Sequence, residues 1–324
     1  MRRQFKMAGV DFTPGGFAPL LDDNPWRSPL GRDVILPHYA WACAMVAEAA
    51  AQGDKIIPDT MPTTQVFLTL LDRVVGAPDA ARAEILSYAG HDAICYWAGK
   101  PDALRAREKS QWGRIIDGYV AQHMPWTIVL GLQAQPQPQD SLQRLEQALH
   151  ALDDWRLGLL LLLTNLTGTA LGSYWHLAGH LPLDDFRQAA FLPEIFRCDQ
   201  AGEEAITAPH LLPKFAQLDH LCGLLADYAP GRPQALALTI SGQVQGVGYR
   251  AWLQKTALSR GLGGYARNAA DGTVRAGLYG PAEQLRAQLT DCLTGPARAQ
   301  VRRIQVASID AAKAPGDFAI LPDA

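Results

Sequence analysis

The chain has 324 residues, 29 Lys and Arg against 32 Asp and Glu, a net charge of −3 and 48% apolar residues. That length suits two or three domains, and the composition is that of an ordinary globular protein rather than a disordered or fibrous one. The five cysteines (Cys43, Cys95, Cys198, Cys222 and Cys292) are odd in number and form no C-x-x-C pair, which argues against a zinc or disulfide framework and for reduced thiols in the cytoplasm.

Charge is unevenly spread. Residues 234–324 hold ten Lys and Arg and six Asp and Glu, so +4, which leaves −7 for the rest. A small basic module suits an anionic ligand. An excess of +4 with no aromatic-basic stripe argues against nucleic acid as the partner.

Near the N-terminus, Arg2, Arg3 and Lys6 lead to Asp11 and Pro14 and not to an apolar run, so no signal-peptide pattern is present. Residues 4–36 read as short strands broken by the turn pairs Gly15-Gly16 and Asp23-Asn24, and "DVILP" predicts one more strand, stopped by Pro37. The period then becomes helical. Tyr39 to Gln52 is Ala-rich, with Gly53 as the expected C-cap. Gln65 to Val75, Ala80 to Trp97 and Asp102 to His123 follow as helices. "WTIVLGLQ" is a β-branched interruption, and "QAQPQPQ" a polar connector. Ser141 to Leu152 puts Leu142, Leu145, Leu149 and Leu152 on one face. Further helices start near Asp154, Asp184 and Leu211. The uncharged run Leu157 to Trp175 approaches the ~20 residues of a membrane span. Its Thr, Asn, Gly and Ser content, and the lack of basic or aromatic flanks at both ends, favour a buried central helix and no membrane insertion.

"YAPGRPQ" at 228–234 has linker composition. Beyond it the pattern is strand (236–244), helice (249–260), strand (263–268), the turn "AADG", strand (273–280), a helix started by Pro281, strand (301–311) and a short strand (318–321). The order β-α-β-β-α-β is that of the split βαβ ferredoxin-like sandwich. The predicted fold class is therefore multidomain α+β: a β-rich lobe over 1–60, a helical lobe over 61–230 and the α/β sandwich over 235–324.

"GQVQGVGYR" at 242–250 joins a strand to a helix N-terminus. Unpaired backbone N–H groups there attract anions, and glycine lets the loop curl so that its amides converge. Arg250 adds a planar fork that matches two phosphate oxygens. Gln245, Gly246, Val247, Gly248, Tyr249 and Arg250 thus read as a phosphate cradle. No Lys-Ser/Thr follows, so it is not a Walker loop, and it is not a dinucleotide fingerprint.

Together with "GLGGYARNAADGTV", this stretch resembles acylphosphatase over 235–324. The resemblance implies that Arg250 and the loop amides hold the phosphate of a small acyl phosphate, while Asn268 holds the attacking water. It implies no metal and no cofactor. An acyl phosphate has a good leaving group, so positioning and charge stabilisation do most of the work.

Residues 1–230 offer no comparable catalytic set. His176 and His180 are four apart, but Leu177 stands where a zinc-protease helix has Glu, and no third ligand is evident. Asp22-Asp23, Asp153-Asp154 and Asp184-Asp185 read as turn and N-cap residues. In order and spacing, "GGFAPLLDDNPWRSP", "LPHYAWACAMVAEAAAQGDKIIPDTMPTTQ", "EILSYAGHDAICYWA", "PDALRAREKSQW" and "LDDWRLGLLLLLTNLTGTALG" resemble the ATP synthase assembly chaperone that holds the alpha subunit of the catalytic head. That resemblance implies a chaperone-like module over 1–230 whose partner is the alpha subunit. In "FRCDQAGEEA", Asp199 stands at the family's acidic position, usually Glu, and Ala201 replaces its Trp, which makes Asp199 the candidate client-binding residue. The alternative reading is an acylphosphatase whose N-terminal part is a degenerate interaction module. A hydrogenase-maturation type enzyme would place such a domain first and follow it with paired C-x-x-C motifs, which are absent.

Overall fold

The computed structural model describes residues 2–131, 133–227, 233–309 and 317–323. Strands β1 (Ala8–Thr13) and β2 (Gly16–Leu21) form a hairpin, and β3 (Asn24–Pro25) pairs with the end of β2. Phe12 and Phe17, opposite each other in register, meet edge to face at 5.1 Å. The expected "DVILP" strand does not form. Leu36 bridges to Phe17 and Asp33 to Arg27, two isolated contacts with different partners, and Pro37 has no N–H to extend the first of them.

Helix α1 (Tyr39–Ala50) buries Trp41, Ala42, Met45 and Ala49 on one face. It stops before Gly53 because Gln52 ties the chain down: its Nε2 donates to Glu48 O (3.1 Å) and its Oε1 accepts from Ile57 N (2.8 Å). Helix α2 (Pro62–Arg73) starts on a carboxylate. Glu48 accepts from Thr63 N at 2.7 Å and Thr64 N at 2.8 Å, a negative charge at the positive end of the helix.

Next come α3 (Asp79–Ala89), β4 (Tyr96–Trp97), α4 (Asp102–Ala121), β5 (Val129–Leu130), α5 (Gln139–His150), α6 (Asp154–Thr167), α7 (Ala170–Leu177), α8 (Leu183–Ala190), α9 (Leu192–Ala201) and α10 (Leu212–Ala226). The helix expected over 80–97 ends at Ala89, and Tyr96–Trp97 pairs in parallel with Val129–Leu130. The apolar run 157–175 is two helices rather than the one expected. Gly168 takes a left-handed φ of 72° that closes α6, and Thr169 then caps α7 by accepting from Gly172 N at 2.9 Å. Among the described residues no helix is long and apolar enough to cross a membrane. Around this break Tyr119 is fully buried and donates to Leu171 O at 2.8 Å, and Trp112 donates to Ala189 O at 2.8 Å.

The C-terminal elements are β6 (Pro233–Gln243), α11 (Tyr249–Ser259), β7 (Gly263–Asn268), β8 (Val274–Pro281), α12 (Ala282–Thr294), β9 (Gln300–Ser308) and β10 (Phe318–Ile320). The sandwich order predicted from the sequence is present. Its sheet runs further than the sandwich, in the order β10-β7-β8-β6-β9-β1-β2-β3. Strand β1 pairs antiparallel with β9 (Val10 with Val306, Asp11 with Gln305). Arg303 of β9 reinforces the join, with Nε on Asp11 at 2.6 Å and Nη2 on Asp23 at 2.8 Å.

The compact units consequently differ from the expected boundaries at 60 and 235. One unit is 1–72 with 227–324, and the other is 73–226. The physical reason is the pairing of β1 with β9, which draws the β-rich lobe and the sandwich into one sheet. Of the linker expected at 228–234, residues 228–232 lie outside the described residues.

A bulge between Ser241 and Gly242 turns the end of β6 toward the loop that follows. Gly242 has φ 127°, and a Cβ there would lie 2.1 Å from Gln300 O. Gly242→Ala is expected to destabilise the protein by about 3 kcal/mol or more, since strain and a backbone clash add. Urea unfolding of the full chain checks this.

Candidate functional site

The loop after β6 is held from below. Gln245 Nε2 donates to Ala269 O and to Thr273 O, both at 2.9 Å. This fastens the glycine loop to the β7–β8 hairpin, and with it to Asn268 at the end of β7. The Gln245 side-chain amide is used on these carbonyls, so what Gln245 can offer an anion is its backbone N–H. Asp271 shapes the same hairpin by accepting from Thr273 N (3.0 Å) and Thr273 Oγ1 (2.6 Å). These hydrogen bonds hold its carboxyl below the usual range.

Gly246 and Gly248 have φ of 70° and 79°, left-handed values that few side-chain-bearing residues adopt. Gly248 is the N-cap of α11, with Tyr249 and Arg250 as its first two residues. Their amides are among those a helix start leaves without an intrahelical acceptor. Tyr249 is a core residue: it is buried and its hydroxyl donates to Cys292 O at 2.8 Å. Burial pushes its phenol pKa up, so it stays protonated. What Tyr249 can offer an anion is its backbone amide.

Arg250 and Asn268 reach the same point from helix and strand. A cavity of about 300 Å³ is lined by Val244, Gly246, Gly248, Tyr249, Arg250, Ala251, Asn268 and Ile320. Across it, one carboxylate, that of Asp323, accepts from Arg250 Nη1 and from Asn268 Nδ2 (3.2 Å). The two side chains therefore converge within the span of a single small anion. Ile320 and Asp323 were not singled out from the sequence. They come from β10 and its continuation, far from the motif along the chain.

This arrangement can bind a tetrahedral oxyanion and place a polar amide beside it. Cys222 and Cys292 take no part: burial raises each thiol to about 12, so neither is a thiolate near neutrality.

Residues 236–320 match the family model described as acylphosphatase, and residues 2–119 match ATP12 chaperone protein. An acylphosphatase of Azorhizobium caulinodans is 49% identical over 85 residues, which is 26% of this chain and 91% of that protein. The chain belongs to the acylphosphatase family. An acylphosphatase of Rhodospirillum rubrum is 45% identical over 83 residues, 26% of this chain and 91% of that one. Ahead of its acylphosphatase domain the chain carries an ATP12 chaperone domain. The crystal structure of Atp12 from Paracoccus denitrificans is similar with a TM-score of 0.64 and 25% identity, covering 70% of this chain and 98% of that one.

In the chaperone part Asp199 lies in the last turn of α9 and pairs with Arg107 of α4 at 2.5 Å. Arg107 also lies over the Phe196 ring, 5.3 Å from its centroid. An acidic residue near a helix C-terminus is unfavourable by itself, and Arg107 offsets that. Gly202, which follows Ala201 at the family's Trp position, closes α9 with φ 72°. His176 and His180 do not face a common point. His176 Nδ1 lies 2.7 Å from Leu181 O with its ring stacked on Phe186, and His180 packs on Trp175.

Proposed function

We propose that residues 236–320 hydrolyse small acyl phosphates, with Arg250 and the amides of residues 245–250 binding the phosphate and Asn268 holding the attacking water. The observation that carries this reading is the single carboxylate gripped by both Arg250 and Asn268. A phosphoryl group placed there meets a bidentate cation and a helix N-terminus. Water oxygen bonds to phosphorus as the bond from phosphorus to the acyl oxygen breaks. The electron pair leaves with the carboxylate, and the water's proton passes to solvent. The departing carboxylate is a weak base, so no protonated leaving group is needed.

The helical and β-rich parts ahead of it hold the ATP synthase alpha subunit before assembly, in the cytoplasm. Match to the ATP12 chaperone family supports this half of the reading. Asp199 is its candidate contact, exchanging Arg107 for a basic group of the client. The full chain is expected to hydrolyse benzoyl phosphate without added metal, and to suppress light scattering by the isolated alpha subunit. Asp199→Ala is expected to reduce that suppression while leaving hydrolysis unchanged. Hydrolysis with no suppression, from a folded chain, favours the reading of a degenerate interaction module.

A further inference from the structure

We propose that Asp323 is an autoinhibitory residue of the acylphosphatase site: an internal carboxylate that fills the cradle when no phosphate is bound and competes with every anion that enters it. The inference rests on the phosphate-binding reading above.

Its placement follows from strand register. β10 runs parallel to β7, with Phe318 beside Gly264 and Ile320 beside Ala266. Leu321 N donates to Ala266 O at 2.9 Å, so the pairing continues past the strand. Gln254 of α11 holds the other side through Phe318 O at 2.8 Å. The same advance puts Pro322 level with Asn268, the last residue of β7, and Asp323 one step beyond it, within reach of the Asn268 side chain. Both carboxylate oxygens are used there: Oδ1 accepts from Arg250 and Oδ2 from Asn268.

The contact is open to solvent, with 63% of the Asp323 side chain exposed. A phosphate dianion cannot share Arg250 with it, because like charges at contact repel. Asp323 must turn outward, and an exposed side chain does so by bond rotation alone. The site is then competent only for the fraction of time that Asp323 is out, and apparent affinity falls by that fraction. Exposed ion pairs are weak, so the reduction is about two- to five-fold. Phosphate, with more oxygens and more charge, still enters. The reaction's own product is a carboxylate, so it too must displace Asp323, and its binding weakens by the same factor as that of phosphate.

Inorganic phosphate binding to the full chain, measured by calorimetry, and steady-state hydrolysis of benzoyl phosphate test this on Asp323→Asn and Asp323→Ala. Both variants are expected to lower the phosphate Kd and the KM together by about two- to five-fold, with kcat within two-fold of wild type. Inhibition by benzoate should strengthen in both. An unchanged phosphate Kd, or a ten-fold loss of kcat, overturns the proposal; the second result would make Asp323 a working part of the reaction. Phosphate bound equally well by all three proteins removes only the role of Asp323. Phosphate bound by none of them removes the cradle and this inference with it.

Discussion

Arg250→Lys is expected to lower benzoyl phosphate turnover by about 10² or more and to weaken phosphate binding as well. The charge survives, but the planar fork does not. Lysine offers a point charge where Arg250 can meet two oxygens from the first turn of α11. Asn268→Ala should differ in kind. It removes a polar amide from the cavity wall and leaves Arg250 and the loop in place. Its kcat is expected to fall about 10²- to 10³-fold while inorganic phosphate still protects the protein. Measuring both variants together separates binding from positioning. Wild-type turnover in Asn268→Ala with a dead Arg250→Lys would make Asn268 a strand end and nothing more. Wild-type behaviour in both would make the glycine loop a plain turn.

The cradle was legible because its chemistry is local. Residues 242–250 fix the loop, the helix start and the cation within nine positions, and the strand order brings Asn268 alongside. Side-chain commitments were not legible. Nothing in "GQVQG" says that the Gln245 amide bonds the carbonyls of Ala269 and Thr273 rather than a ligand. Asp323 reaches Arg250 across 73 positions of sequence. The join of β1 to β9 spans even more, with Arg303 and Asp11 292 positions apart. Period and turn signals report a strand's faces, not its neighbours. Thus the sequence pattern separates the β-rich lobe from the sandwich, while hydrogen bonding puts them in one sheet. The stretch "AGHDAIC" held a signal that periodicity overran. Helix α3 closes on Gly90, and Asp92, accepting from Ile94 N, caps a separate short 3-10 turn over Ala93–Cys95, so the expected helix does not continue to Trp97.

Asp92 also carries the largest expected effect on stability. Its carboxyl is completely buried, with Oδ1 accepting from Ile94 N at 3.1 Å and Oδ2 from Leu171 N at 2.9 Å. It thereby ties the turn after α3 to the first turn of α7. Burial raises its pKa to about 6, against hydrogen bonds from Thr169, Leu171, Ile94 and Ala170 that lower it. The folded state therefore holds this proton more tightly than the unfolded chain does. The stabilisation is fully present below the unfolded value near 4 and is lost as pH rises through about 6. Two pKa units correspond to about 3 kcal/mol. At pH 7 the protein carries an ionised, desolvated carboxylate. Asp92→Ala leaves two buried amides without their acceptor, at about 1–3 kcal/mol each, and opens a cavity. The variant is expected to be destabilised at both pH values, and more at pH 4.5 than at pH 7. At the higher pH the wild type has already lost the proton's contribution, so less separates the two proteins. Asp92→Asn keeps an acceptor and cannot ionise, so its pH dependence over this range should be flatter. Urea unfolding of the three full-length proteins at pH 4.5 and 7 measures the difference. An equal loss for Asp92→Ala at both values would mean that Asp92 ionises in the fold as freely as it does in water.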